Sequence, residues 1–161
     1  MLRNNDRTVG ERKYEMKSKI INQMKLTLPA IPENEAVARG CVSQLVSRAD
    51  PTVGELADIR CAVSEAVTNC VVHAYKNAPG LIYINARLFD DGRFTVLIAD
   101  KGCGIPDVSL AMTPLYTTDS KGERSGMGFA IMQTFADKVR VRSKVGFGTR
   151  VFMEKQIGRK K

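Results

Sequence analysis

The sequence lacks long apolar runs and any recognisable export signal. Its apolar stretches, such as residues 96–99, are only a few residues long, whereas a membrane-spanning helix needs about 20 consecutive apolar residues. The N-terminus does not show the basic-then-apolar order of a secretory signal. We therefore expect a cytoplasmic protein that makes no contact with a membrane.

Metal-binding side chains are also too few for a structural zinc site. The four cysteines include no C-x-x-C pair, and the only histidine is His73. A structural zinc ion needs four ligands, typically at short paired spacings. Cys41, Cys61 and Cys70 fall in apolar helical patterns, so we expect them to be reduced residues of the core.

The excess of positive charge is confined to the two ends of the chain. Of the net charge of +8, residues 1–25 carry +4 and residues 150–161 carry another +4. Between them, residues 26–149 hold thirteen basic and thirteen acidic side chains. A nucleic-acid-binding face collects Lys and Arg along one folded surface. The distribution favours solvated tails over direct nucleic-acid binding, and a binder that works through its tails stays open as an alternative.

What the sequence does contain is one domain of helix and strand signals. Its 161 residues, 43% of them apolar, suffice for a single core. We predict a flexible basic extension at 1–23, a domain at 24–155 and a basic tail at 156–161. Helices in groups and strands in hairpins predict an α+β two-layer sandwich, with the helices on one face of a mostly antiparallel mixed sheet. The predicted strands cover 24–28, 81–88, 93–99, 139–143 and 149–153, and the predicted helices cover 32–49, 53–76, 107–112 and 127–136.

Three polar side chains recur every four residues on the long predicted helix. Glu65, Asn69 and His73 therefore share one row beside the apolar stripe. A carboxylate can accept a proton and an amide oxygen can bind Mg²⁺, so the first two could serve a phosphoryl transfer. An isolated E-x-x-x-N is more often a solvated helix face, and the motif alone favours that simpler interpretation.

Two further segments contain closely spaced glycines. Asp100 ends a strand, so its carboxylate could accept a hydrogen bond from the amino group of adenine, while Gly102 and Gly104 would let the backbone approach a flat ligand. A plain strand-ending turn is equally consistent with this segment. Gly126 and Gly128 lead into an amphipathic helix, whose free N–H groups and dipole favour an anion. Glycines at a helix start also occur without any ligand, and residues 146–149 are fully explained as a hairpin turn.

In their order and spacing, these segments together resemble the N, G1, G2 and G3 boxes of the Bergerat-type (GHKL) ATP-binding superfamily, which includes gyrase, histidine kinases and mismatch-repair ATPases. The resemblance spans residues 24–155. Three segments are similar to the sporulation anti-sigma factors, a family of protein serine kinases in endospore-forming bacteria: VSEAVTN at 63–69, PLYTT at 114–118 and ERSGMGF at 123–129.

This resemblance implies a Bergerat ATP-binding fold with ATP and Mg²⁺ as cofactors. Glu65 would be the base that accepts the substrate hydroxyl proton, and Asn69 would be the Mg²⁺ ligand. Asp100 and Thr149 would hold adenine, with Gly102 and Gly104 passing beneath it. Residues 113–125 would form an ATP lid. The remaining nucleotide contacts would come from Thr118, Arg124, Ser125, Gly126, Met127 and Gly128.

The resemblance also implies protein partners. Such a protein binds a sigma factor, phosphorylates a serine of an anti-anti-sigma factor with MgATP, and acts as a homodimer. Arg39 matches the arginine that similar proteins use to touch both partners, although the sequence alone favours an ordinary solvated arginine. Two other functions stay open: a non-catalytic ATP-binding anti-sigma module, and an ATPase in which Glu65 activates water.

A histidine kinase is the less favoured member of the superfamily. Arg124 stands where histidine kinases usually have glycine, and 161 residues leave no room for a separate helix with a phosphoacceptor histidine. We therefore expect His73 to be a polar residue at the helix end or in the site wall rather than a phosphoacceptor.

Overall fold

The computed structural model describes residues 18–76, 78–113 and 127–158. These ranges form a sheet covered on one face by helices, with a 3₁₀ turn at Ser47–Ala49 and a π-helical turn at Cys70–Ala74. The strands are β1 (Ile20–Pro29), β2 (Leu81–Phe89), β3 (Arg93–Ala99), β4 (Lys138–Lys144) and β5 (Gly148–Gln156). The helices are α1 (Glu33–Val46), α2 (Val53–Asn69), α3 (Val108–Ala111) and α4 (Gly128–Phe135).

The sheet has the strand order β1-β2-β3-β5-β4, and every neighbouring pair is antiparallel. The β2–β3 turn contains Gly92 at φ +78°, as its Asp-Gly sequence predicts. The α+β two-layer sandwich is confirmed. Within the described ranges the sheet contains no parallel strand pair, so it is wholly antiparallel rather than mixed.

Strict alternation along the strands separates the covered face of the sheet from the open one. On β2, Ile82, Ile84 and Leu88 are at most 2% exposed, whereas Tyr83 and Asn85 between them are half-buried. Successive strand residues point to opposite faces, so the first group meets the helices and the second does not. Helix α2 packs between α1 and α4, which places one of its flanks beside α4.

The folded domain is longer at both ends than the sequence predicts. Residues 20–23, assigned to the flexible extension, belong to β1 because β2 continues to Phe89 and offers them a partner. Just before β1, the Lys19 N–H donates to Asp90 Oδ1 at 2.9 Å. At the other end, Ile157 is 4% exposed and joins the core. The boundary at residue 155 is therefore too early.

The cysteine prediction holds for one residue of three. Cys70 is buried, Cys41 is half-buried, and Cys61 is exposed. Cys61 lies off the buried stripe of α2, which runs through Ile59, Ala62 and Val63. In the part of the chain that the structure describes, no three His, Cys, Asp or Glu side chains cluster so as to hold a metal ion. No helix in those ranges is long and apolar enough to cross a membrane.

Helix α2 begins with a complete capping box. The Thr52 hydroxyl accepts a hydrogen bond from the Glu55 N–H (3.1 Å), and the Thr52 N–H donates to Glu55 Oε2 (2.8 Å). The bond from the Thr52 backbone holds the pKa of the Glu55 carboxyl below its usual value of 4.5. A lowered pKa means that the ionised carboxylate stabilises the fold above pH 4.5, and that this contribution is lost as the pH falls through the folded value.

We expect Thr52→Ala to lower the free energy of unfolding by about 1 kcal/mol, because it leaves a donor at the helix start without its acceptor. Urea denaturation at neutral pH measures this difference. Thr52→Ser keeps the hydroxyl and serves as the control. An Ala variant as stable as the Ser variant would show that the cap contributes nothing to stability.

Candidate functional site

Asp100, at the end of β3, is a buried carboxylate with one oxygen saturated and one available. Its Oδ1 accepts hydrogen bonds from the N–H groups of Gly102 (2.9 Å) and Thr149 (3.2 Å). Its Oδ2 accepts from the Cys70 thiol at 3.7 Å. A thiol is a weak donor, so Oδ2 retains the capacity to accept a stronger donor such as an amino group. An oxygen with this remaining capacity to accept fits the adenine contact that the sequence predicts for Asp100.

Cys70 contacts the candidate site residue Asp100, whereas sequence reasoning assigned it only to the core. Burial, with the nearby charge of Asp100 and the hydrogen bond to it, raises the pKa of the Cys70 thiol. The thiol therefore stays protonated at neutral pH and remains a donor to Asp100. The two residues are 30 positions apart, and no local signal in the sequence links them.

The glycines after Asp100 serve the packing of the loop itself. A Cβ on Gly102 would lie 2.0 Å from the carbonyl oxygen of Ala74, and the Cys103 N–H donates to the same oxygen at 2.7 Å. A Cβ on Gly104 would lie 2.2 Å from the carbonyl oxygen of Lys144. Both glycines thus let this loop press against the π-helical turn and β4. Close approach of these two glycines to a ligand, the role predicted from sequence, stays a prediction.

Thr149, the second predicted adenine residue, is held by a partner that the sequence analysis did not single out. Its hydroxyl lies 2.8 Å from the Ser143 hydroxyl, which also accepts a bond from the Ile105 N–H at 2.7 Å. Ser143 pairs with Thr149 across the β4–β5 hairpin. That register is set by the predicted turn at 146–148, so hairpin pairing was the signal that could have found Ser143.

Glu65 and Asn69 lie beside the first residue of α4. A Cβ on Gly128 would be 3.1 Å from Glu65 Oε2 and 3.4 Å from Asn69 Oδ1. A side chain at position 128 would have to displace the ends of these two side chains by a few tenths of an ångström, so Gly128 allows the two helices to approach closely. The first N–H groups of a helix lack intrahelical partners and carry partial positive charge. The arrangement therefore brings a carboxylate, an amide group and a helix start into one place, and a helix start of this kind favours an anion such as phosphate.

His73 follows Asn69 in a π-helical turn, so the regular α-helical spacing from which the three-residue row is predicted ends at Asn69. The α-helix ends at Asn69, and Cys70–Ala74 form a π-helical turn. A π turn contains more residues than an α turn, so it rotates the next residues about the helix axis. The side chain of His73 is exposed, and its carbonyl oxygen accepts a bond from the Cys103 thiol at 3.2 Å. The turn also delivers the Ala74 carbonyl to the loop after Asp100.

The remaining predicted residues lie at the start of α4, on α1 or outside the described ranges. Met127 directly precedes α4 and is 40% exposed. Arg39 lies on α1, with Nη1 3.4 Å from Glu35 Oε1 and 35% of its side chain exposed. Four predicted nucleotide contacts and most of the predicted lid lie outside the described residues: Thr118, Arg124, Ser125, Gly126 and residues 114–125.

Known sequences resemble this chain over most of its length. The model of the family described as histidine kinase-like ATPase domain matches residues 28–155. The anti-sigma F factor of Caldanaerobacter subterraneus subsp. tengcongensis is 49% identical to this chain over 138 residues, which are 86% of this chain and 96% of that protein. The anti-sigma F factor of Priestia megaterium is 45% identical over 137 residues, 84% and 93% of the two chains.

Solved structures share the fold at lower identity. The RsbU and RsbW domains of a Mycobacterium tuberculosis protein match with a TM-score of 0.64 and 20% identity, over 86% of this chain and 33% of that one. Full-length ShkA, solved in complex with AMPPNP, matches with a TM-score of 0.53 and 22% identity, over 82% and 31% of the two chains. At these identities the matches establish the fold alone.

Proposed function

Because the chain belongs to the family of histidine kinase-like ATPase domains and to the anti-sigma F factors, we propose that it sequesters a sigma factor and phosphorylates a serine of an anti-anti-sigma protein with MgATP. The observation that carries the catalytic half is the placement of Glu65 and Asn69 against the start of α4. A cytoplasmic location fits partners of this kind. The proposed protein acts through its protein partners and does not bind nucleic acid directly.

Each residue of the site has a separate task in this proposal. Bound ATP would supply the phosphoryl group, and Mg²⁺ would neutralise its charge. Glu65 accepts the proton of the serine hydroxyl, and the Asn69 amide oxygen holds Mg²⁺. The N–H groups at the start of α4 bind phosphate oxygens. Asp100 Oδ2 accepts a hydrogen bond from the adenine amino group, which guanine lacks at that position because it has a carbonyl there.

We further propose that the protein is a homodimer that uses the open face of the sheet. Leu97 and Phe152 are paired across β3 and β5 on that face, and with Tyr83 they leave apolar surface that no described element covers. The open face also contains a cleft of about 720 Å³ lined in part by Tyr83 and Leu97.

The charges on the open face predict how such a dimer responds to salt. Arg140 and Arg150 share the face with these apolar side chains. Two copies would bring like charges together, so screening by salt should strengthen the dimer. Analytical ultracentrifugation at several salt concentrations measures this. A monomer at all concentrations would contradict the dimer.

Phosphate transfer from labelled ATP distinguishes the kinase from its alternatives. The full chain is incubated with γ-labelled ATP, Mg²⁺, a sigma F protein and an anti-anti-sigma protein, and the label is then located. Label on a serine of the anti-anti-sigma protein supports the kinase. Label released only as free phosphate supports the ATPase in which Glu65 activates water. Binding of ATP and sigma factor without any release or transfer supports the non-catalytic module.

A further inference from the structure

Glu35 on α1 contacts both Arg39, the candidate partner-binding arginine, and Ser64, the sequence neighbour of the candidate base Glu65. Its Oε1 accepts a hydrogen bond from the Ser64 hydroxyl of α2, and the same oxygen forms the ion pair with Arg39. Ser64 directly precedes Glu65 in the sequence. One carboxylate oxygen therefore joins the candidate partner-binding arginine on α1 to the helix that carries the candidate base.

The two contacts of Glu35 act differently. An ion pair four residues apart on a helix surface contributes little stability by itself, because solvent screens it. The bond from Ser64 is stronger, because a hydroxyl that donates to a carboxylate makes a charge-assisted hydrogen bond. It also comes from a second helix, so it fixes the Glu35 rotamer relative to α2. A fixed Glu35 in turn restricts the orientations of the Arg39 guanidinium.

We propose that Glu35 is a positioning residue that holds Arg39 ready for a protein partner at a set distance from Glu65. This inference rests on the proposed function, because it takes Arg39 as a partner contact. Ordering a long side chain before binding reduces the entropy that binding loses. The Ser64 bond then ties the docking point on α1 to the proton acceptor on α2, so a docked substrate protein meets the base in register.

The test uses the full chain, a sigma F protein and an anti-anti-sigma protein as probes. Glu35→Gln keeps an acceptor for Ser64 and removes the charge that orients Arg39. We expect it to weaken sigma binding and raise KM for the anti-anti-sigma protein by about three- to tenfold, with kcat and KM for ATP unchanged. Ser64→Ala, which removes the donor to Glu35, should also weaken sigma binding and raise KM for the anti-anti-sigma protein. Ser64→Thr keeps a hydroxyl and should show the parent values. Glu33→Gln makes the same charge change on the same helix without these contacts and is the control.

Combination with Arg39→Ala separates this inference from the proposed function. If Glu35 acts through Arg39, Glu35→Gln has no further effect in the Arg39→Ala background. A full Glu35→Gln effect in the Arg39→Ala background overturns the inference. It is also overturned if Arg39→Ala weakens partner binding while Glu35→Gln leaves KM for the anti-anti-sigma protein unchanged. If Arg39→Ala leaves both partners bound as tightly as before, the partner role of Arg39 and this inference fall together. A matching rise in KM for ATP would indicate a merely structural effect and would also overturn it.

Discussion

Glu65→Gln is expected to slow serine phosphorylation by roughly 10²–10⁴-fold, the range that loss of a general base typically costs. The amide has the size and shape of the carboxylate, so it fits the same space beside Gly128, where a Cβ would already lie 3.1 Å from Glu65 Oε2. It can accept a hydrogen bond, but it is not a proton acceptor. Binding of ATP and of the sigma factor should therefore persist. Calorimetry measures this binding, and a transfer assay on the same preparation measures the loss of phosphorylation.

Asn69 lies one turn after Glu65 on α2, and Asn69→Ala should lose different properties from Glu65→Gln. Loss of an amide oxygen ligand should weaken nucleotide affinity in the presence of Mg²⁺ and leave the weaker Mg²⁺-free affinity unchanged. Glu33→Gln, which also removes one carboxylate, is the control for Glu65→Gln. Phosphoryl transfer depends mainly on positioning and charge neutralisation, so a modest Glu65→Gln effect alone leaves a kinase possible. Full transfer activity in both variants would contradict the assignment of this pair.

Much of the fold is encoded in short-range patterns that the structure reproduces. Strict alternation on β2, with Ile82 and Ile84 buried and Tyr83 half-buried, is the period-2 signal of a one-sided sheet. The stripe on α2 is likewise a local property of its sequence. The proximity of Glu65 to Gly128 is different, because 63 positions separate them. Only the family resemblance, and not the spacing of residues, indicated that these two elements meet.

The features that sequence reasoning missed depend on tertiary contacts. The π-helical turn at Cys70–Ala74 contains no Gly or Pro that would mark a break. It is accompanied by the contact between the Ala74 carbonyl and the Cys103 N–H. The exposure of Cys61 is different, because Cys61 lies off the buried stripe of α2 and helical periodicity alone could have identified it. The bond from Cys70 to Asp100, in contrast, joins two elements that are distant in sequence.

Asp100→Ala is expected to weaken ATP binding by about 1.5–3 kcal/mol, the scale of a hydrogen bond to a charged group. That variant also leaves the N–H groups of Gly102 and Thr149 without their acceptor, so it is expected to lose stability as well. Asp100→Asn separates the two effects. Its amide oxygen can keep both backbone bonds at the Oδ1 position, while its amino group replaces Oδ2, where adenine would also present a donor.

The Asn variant should therefore melt at the parent temperature and still lose affinity for ATP. Because its amino group can donate to the carbonyl of guanine, the preference for ATP over GTP should narrow. Cys70→Ala removes the other donor to Oδ2 and leaves both backbone bonds in place, so we expect ATP affinity within about twofold of the parent, since a thiol is a weak donor. Calorimetry with ATP and GTP, and thermal denaturation of each variant, measure these effects. If Asp100→Asn binds ATP as the parent does, Oδ2 is not the adenine acceptor, and the loop after β3 has only the packing role that Gly102 and Gly104 already show.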